Sequence, residues 1–223
     1  MLDINLRHNP ELDHHFKQGV AWLSASAEGE NTAALSYAAF EFRFAIERLA
    51  LYYWIALLNR KVEEKDFRDI TSFKRIEKRI YELAGNQLEI NGHFKFMRIV
   101  LGAIKLDNSF QTPAIGTLSK FWHDCSELCH IAWPLGCSDN EVRKTAFNTL
   151  TQISQSLLVQ VNSIGWPVIQ DSSFIELRNQ FITGNISSGE VLAYIKKIGM
   201  WAKAEFTDGT PSKFVGEAVP PSE

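Results

Sequence analysis

The chain has little of what marks several common protein classes. It holds three cysteines, Cys125, Cys129 and Cys137, in 223 residues. So odd and sparse a thiol count argues against a disulfide scaffold and for a reducing compartment. The opening MLDINLRHNP lacks the apolar centre of a signal peptide, so a cytoplasmic location is expected. There is no G-x-S-x-G and no glycine-rich phosphate loop; Gly102 and Gly116 stand alone. The usual hydrolase and nucleotide-binding signatures are therefore missing. Net charge is only −3, too small to bias the whole molecule toward nucleic acid or an anionic membrane. No internal repeat is visible, and no alternating stretch reads as long enough to build a sheet.

What is present is helical and apolar. Hydrophobic residues make up 45% of the chain and charged residues 22%, the balance of an ordinary globular domain rather than a disordered one. The stretch from 31 to 59, NTAALSYAAFEFRFAIERLALYYWIALLN, reads as one long helix, N-capped by Asn31 and rich in alanine. A helix apolar on nearly every side belongs in a core, so the expected fold is an all-α bundle around this central helix. Its unbroken apolar run, Leu49 to Leu58, is half the roughly 20 residues that a bilayer requires. Glu41, Arg43, Glu47 and Arg48 stand just upstream. Arg43 and Glu47 share a face at i,i+4, as do Glu41 and Arg48 seven apart. Charges on so apolar a helix need partners, either as structural ion pairs or as a polar site within the bundle.

Shorter amphipathic helices are expected on both sides. Asn9-Pro10 opens the first, with Leu12, Phe16, Val20 and Leu23 on one face, and Gly29 breaks it. From 60 to 105 the chain holds eleven Lys and Arg against seven Asp and Glu. Phe73, Ile76, Ile80 and Leu83 space one helix there, ended by Gly85; Phe94, Met97, Leu101 and Ile104 space another. Lys74, Arg75, Lys78 and Arg79 fall on the outer side of the first, a solvated face or a cluster for phosphates. Thr112-Pro113 is read as capping a helix that runs to Trp133-Pro134. Ser138 with Glu141, Ser173 with Glu176 and Ser187 with Glu190 read as capping boxes. The expected organisation is a main bundle over 1–165, a helical hairpin over 166–205 and an irregular tail over 206–223.

The densest polar cluster is KFWHDCSELCH, 120 to 130. On a helix His123, Glu127 and His130 share one side, and the two cysteines another. A zinc site needs four ligands from more than one element, so Cys125 and Cys129 read better as core residues. Glu11/His14 and Glu127/His130 have the Glu-x-x-His spacing of carboxylate-bridged di-iron bundles, but the first pair stands too early in the chain. No metal or cofactor is expected.

The segment LSKFWHDCSELCHIAWPLGCSDNEVRKTAFNTLTQISQSLLVQV resembles the second half of HEPN-type helical domains, and FEFRFAIERL resembles an earlier helix of the same family. The likeness spans about 31 to 164. Active HEPN ribonucleases carry Arg followed four to six residues later by His. That pattern would make His130 catalytic, with Glu127, Arg43 and Glu47 as its companions. Yet residues 124 to 126 are Asp-Cys-Ser, and Lys120 stands ten residues upstream of His130. Arg7 and His14 have the spacing, but Asn9-Pro10 separates them. The resemblance therefore implies a non-catalytic member that dimerises or joins another chain and acts through RNA or protein partners, in RNA-linked, defence or toxin–antitoxin processes. Its rivals are a divergent metal-independent ribonuclease and a purely structural subunit. In the non-catalytic reading, His130 is expected to bond Glu41, Glu47 or Arg43 across the bundle, and Lys74, Arg75, Lys78 and Arg79 to govern any RNA contact.

Overall fold

A computed structural model describes residues 2–8, 10–58, 63–68, 70–106, 112, 114–130, 133, 139–161, 166–168, 171–206, 211 and 213–222. The first helix, α1 (Pro10–Ala25), begins at the expected proline and is followed by a turn in which Gly29 takes φ 102°. The Asn31 side chain then accepts from the Ala34 amide at 3.1 Å and starts α2 (Thr32–Leu58). Thirteen α2 residues are buried, from Ala34 to Leu57, and the helix packs against elements on both sides of it. The expected central helix is thus the core of the molecule.

Three helices follow. A single turn, α3 (Glu64–Phe67), precedes α4 (Phe73–Ala84). Helix α4 buries Phe73, Ile76, Ile80 and Ala84 and stops at Gly85, whose φ of 73° suits a residue without Cβ. In α5 (Gln87–Ala103), Asn86 caps the N-terminus by accepting from the Leu88 and Glu89 amides, and His93 sits among the buried residues. Next come α6 (Ile115–Leu128) and α7 (Asn140–Val161), the latter tied to α2 by the buried Tyr53 hydroxyl, which donates to Gln160 at 2.6 Å. Helices α8 (Ser172–Ile182) and α9 (Ser188–Ile198) lie on α5. Phe174, Val191 and Ile195 join the same hydrophobic cluster as α2. No described helix is long and apolar enough to cross a membrane.

The molecule is mostly helical, as expected, but a sheet is added to it. Four strands, β1 (Leu2–His8), β2 (Trp166–Val168), β3 (Met200–Phe206) and β4 (Lys213–Val219), lie in the order β2-β1-β3-β4. Strands β1 and β3 are parallel, pairing Leu2 with Met200 through to His8 with Phe206; both outer pairings are antiparallel. The expectation that nothing here builds a sheet is thus overturned, and so is the irregular tail, since 213–219 is β4. The alternation in LDINLR was a readable signal. Met200, Ala202 and Ala204 follow it too, all three buried.

Local starts and stops differ in three places. Helix α6 begins after Ala114 with no side-chain cap and ends at Leu128, not at Trp133-Pro134, because Cys129 already closes it. Asp171, not Ser173, caps α8, and Glu176 bonds Gln180 instead of closing a box. Ser187 and Glu190 do form the expected capping box. Asn9, Pro113, Pro134, Cys137 and Ser138 lie outside the described residues.

Candidate functional site

The four charges of α2 all find partners, on two sides of the helix. Toward α1, His15 Nδ1 donates to Glu41 Oε2 at 2.8 Å, and Arg48 Nε lies 3.0 Å from Glu11 Oε2 without hydrogen-bond alignment. Toward α6, Arg43 Nε donates to Glu47 Oε1 at 3.3 Å. The same oxygen accepts from the Trp122 indole at 2.7 Å. The Arg43 guanidinium stands 4.9 Å over the Trp122 ring, whose far neighbour Phe73 stacks on it at 5.6 Å. One carboxylate, one cation and two rings thereby lock α2, α4 and α6 together. The expected Arg43–Glu47 pair is present, half-buried, and its groups are already used.

His130 and Glu127 are elsewhere. Both are exposed, just at and beyond the end of α6, and Glu127 pairs with His123 at 3.8 Å. The expectation that His130 bonds Glu41, Glu47 or Arg43 is overturned. No side-chain hydrogen bond of His130 occurs among the described residues, and those three groups bond His15, Trp122 and each other. The physical reason is the early end of α6, which leaves residue 130 past the last helical turn. Glu127 also lines a cleft of ≈ 520 Å³ between α6 and α7. Among the described residues, four carboxylates, Asp124, Glu127, Asp139 and Glu141, face it with a single cation, Lys120, itself bound to Asp124 at 3.0 Å. That polarity repels a phosphate backbone rather than stabilising one.

Cys125 is buried and Cys129 half-buried, as core residues. Burial pushes both thiols upward, the reverse of a metal ligand or nucleophile.

Lys74, Arg75, Lys78 and Arg79 are all exposed on α4, as expected. Glu82 draws two of them, Lys78 at 3.7 Å and Arg79 at 3.1 Å. Lys74 and Arg75 form no ion pair among the described residues.

Two features went unread in the sequence. The first is an aromatic strip on the outer face of α2. Tyr37 and Phe40 are 54% and 46% exposed, and the Trp22 ring of α1 leans on Tyr37 at 4.9 Å. Phe44 meets Phe40 edge-on at 4.6 Å and stacks on His15 at 5.1 Å. The i, i+3, i+7 spacing was legible, but an all-round apolar helix conceals which face is left outside. The second feature is a cleft of ≈ 460 Å³ at the junction of α5 and α8. Leu57, Leu83, Ala84 and Ile182 form its apolar side; Glu89, His93, Arg178 and Asn179 are its polar residues. His93 and Arg178 are 85 residues apart, so no motif could announce them.

No protein-family model matches this chain, and neither a curated protein nor a solved structure proved similar to it.

Proposed function

We propose that the protein is a non-catalytic, HEPN-like helical interaction module that works as a homodimer through the outer face of α2. The observation that carries this is the strip of Trp22, Tyr37, Phe40 and Phe44. Contiguous exposed aromatics on a rigid helix are costly in water and mark contact surfaces. A second copy of the chain suits the strip for two reasons. Tyr37 precedes Phe40 by one turn and Phe44 follows it by one, so a two-fold axis at Phe40 sets Tyr37 of one copy against Phe44 of the other. In addition, the flanking charged groups have partners within each chain, in the contacts His15–Glu41, Arg48–Glu11 and Arg43–Glu47, so none enters the contact unpaired.

The ribonuclease alternative is weakened by the dispersal of its residues. A general base needs a cation beside the scissile phosphate; here His130 makes no side-chain bond among the described residues, and Arg43 is held by Glu47 and Trp122. An RNA partner keeps one specific observation in its favour, Lys74 and Arg75 on the exposed side of α4, which form no ion pair among the described residues.

Sedimentation equilibrium tests the main reading. A concentration-dependent dimer is expected, reduced to a 25.3 kDa monomer by Tyr37→Glu with Phe40→Glu at an unchanged melting temperature. A wild-type monomer at every concentration would overturn it. Any RNA binding should weaken steeply with salt and vanish when Lys74, Arg75, Lys78 and Arg79 become Glu.

A further inference from the structure

The cleft between α5 and α8 contains a cation, Arg178, that forms no ion pair among the described residues. Arg178 is half-buried, and its Nε and Nη2 donate to the Asn179 side-chain oxygen at 3.3 and 2.9 Å. Its Nη1 makes a long contact, 3.4 Å, with His93 Nδ1. No carboxylate pairs with it among the described residues. A guanidinium has five N–H donors in a fixed fork, and one amide oxygen with one distant imidazole leaves much of that fork unanswered. Partly desolvated charge without a partner is expensive, and proteins rarely leave it so without a use.

His93 explains how the fork is held. It is 2% exposed on α5, edge-on to Phe94 at 5.3 Å. Because Arg178 can only donate, Nδ1 must be the accepting nitrogen, and the ring proton sits on Nε2. That Nε2 is buried and has no hydrogen-bond partner among the described residues. The neutral ring is thus a fixed acceptor behind the guanidinium, a positioning residue rather than a proton donor to solvent. Leu57, Leu83, Ala84 and Ile182 complete a wall that suits a short apolar body. The volume, ≈ 460 Å³, lies within the range of small-molecule sites. Glu89 faces the same space and bonds Asn86 Nδ2 at 3.0 Å. Its charge opposes a multiply charged anion, so a single carboxylate fits better than a phosphate.

We infer that this cleft binds a small organic monocarboxylate, its carboxylate on the Arg178 fork and its apolar part against Leu57, Leu83 and Ile182. Arg matches a carboxylate with two parallel N–H···O bonds, which Lys cannot do.

Benzoate is the probe, with benzyl alcohol as its neutral counterpart, titrated into the full chain by calorimetry. Imidazole nitrogen resonances are followed in parallel. Saturable benzoate binding with a shift of the His93 signals is expected, and none for benzyl alcohol at the same concentrations. Arg178→Met should weaken binding at least ~10-fold, Arg178→Lys should weaken it with the fold intact, and Arg98→Met on the exposed side of α5 should leave it unchanged. Leu83 is 46% exposed, so Leu83→Trp can fill the cleft without touching the core and should also abolish binding. Glu89→Gln should tighten it by removing a like charge. Absence of saturable binding would overturn the proposal, as would equal affinity for benzyl alcohol or unaltered affinity in folded Arg178→Lys and Leu83→Trp. The result is independent of the oligomeric state, which rests on other residues, the α2 aromatics Tyr37, Phe40 and Phe44, none of which lines this cleft.

Discussion

The indole N–H of Trp122 donates to Glu47 Oε1 at 2.7 Å, across the contact between α6 and α2. The pairing converts what looked from sequence like a catalytic carboxylate into a packing element. Arg43 is drawn in from the same helix, covering the indole face while it bonds the same oxygen. A carboxylate that satisfies a half-buried indole and a guanidinium has little capacity left to activate a hydroxyl.

Glu47 can therefore be tested for stability rather than for rate. Glu47→Ala leaves the Trp122 N–H without an acceptor in a partly dry site and should cost about 1–3 kcal/mol. Glu47→Gln retains a carbonyl oxygen for the indole and should cost less than half as much. Urea denaturation of the two variants checks this. Equal losses would mean that the charge on Glu47, not the indole bond, is what matters.

His130→Ala should change almost nothing. The side chain is exposed past the end of α6 and bonds to no described group, and such surface positions contribute little. The melting temperature should match the wild type, and RNA incubated with either protein should remain intact. Cleavage by the wild type that disappears in this variant would restore the ribonuclease reading.

Gly19 was not singled out in the sequence, yet it fixes how α1 meets α2. A Cβ placed there would stand 2.5 Å from Phe42 Cε1. Phe42 is fully buried and cannot swing away. Gly19→Ala gains up to about 1 kcal/mol of helix propensity but should lose about 1–3 kcal/mol to overpacking. The net effect should be destabilising, with a lowered urea midpoint. The double variant Gly19→Ala with Phe42→Leu should recover part of the loss.

How far the sequence carried can be seen in particular residues. The central helix was legible because Asn31, the alanines and the absence of breakers all agree over nearly thirty residues. The Arg43–Glu47 pair was legible because i,i+4 spacing is local. The sheet was not read, although LDINLR alternates cleanly, because β1 finds its parallel partner β3 almost two hundred residues away and neither strand stands alone. The fate of His130 depended on where α6 stops, and the end of a helix is set by a turn rather than by periodicity. The Arg178–His93 contact had no sequence signal at all, since packing of α8 on α5 creates it.

That contact supports a last prediction, on pH. Burial is the main cause that lowers His93, from 6.5 to about 3, and the nearby Arg178 charge adds to it. The folded protein thus keeps the ring neutral where the unfolded chain would protonate it. A group depressed in this way stabilises the fold fully only above its unfolded pKa, near 6.5, and the contribution drains away as pH falls toward 3. Between pH 7 and 5, before most carboxylates titrate, this one residue should remove about 2 kcal/mol. His93→Gln cannot take up a proton, so its stability should fall distinctly less over the same interval, whatever its absolute value. Urea midpoints at pH 7, 6 and 5 for both proteins decide it. Parallel pH profiles would show that His93 is not held neutral by its surroundings.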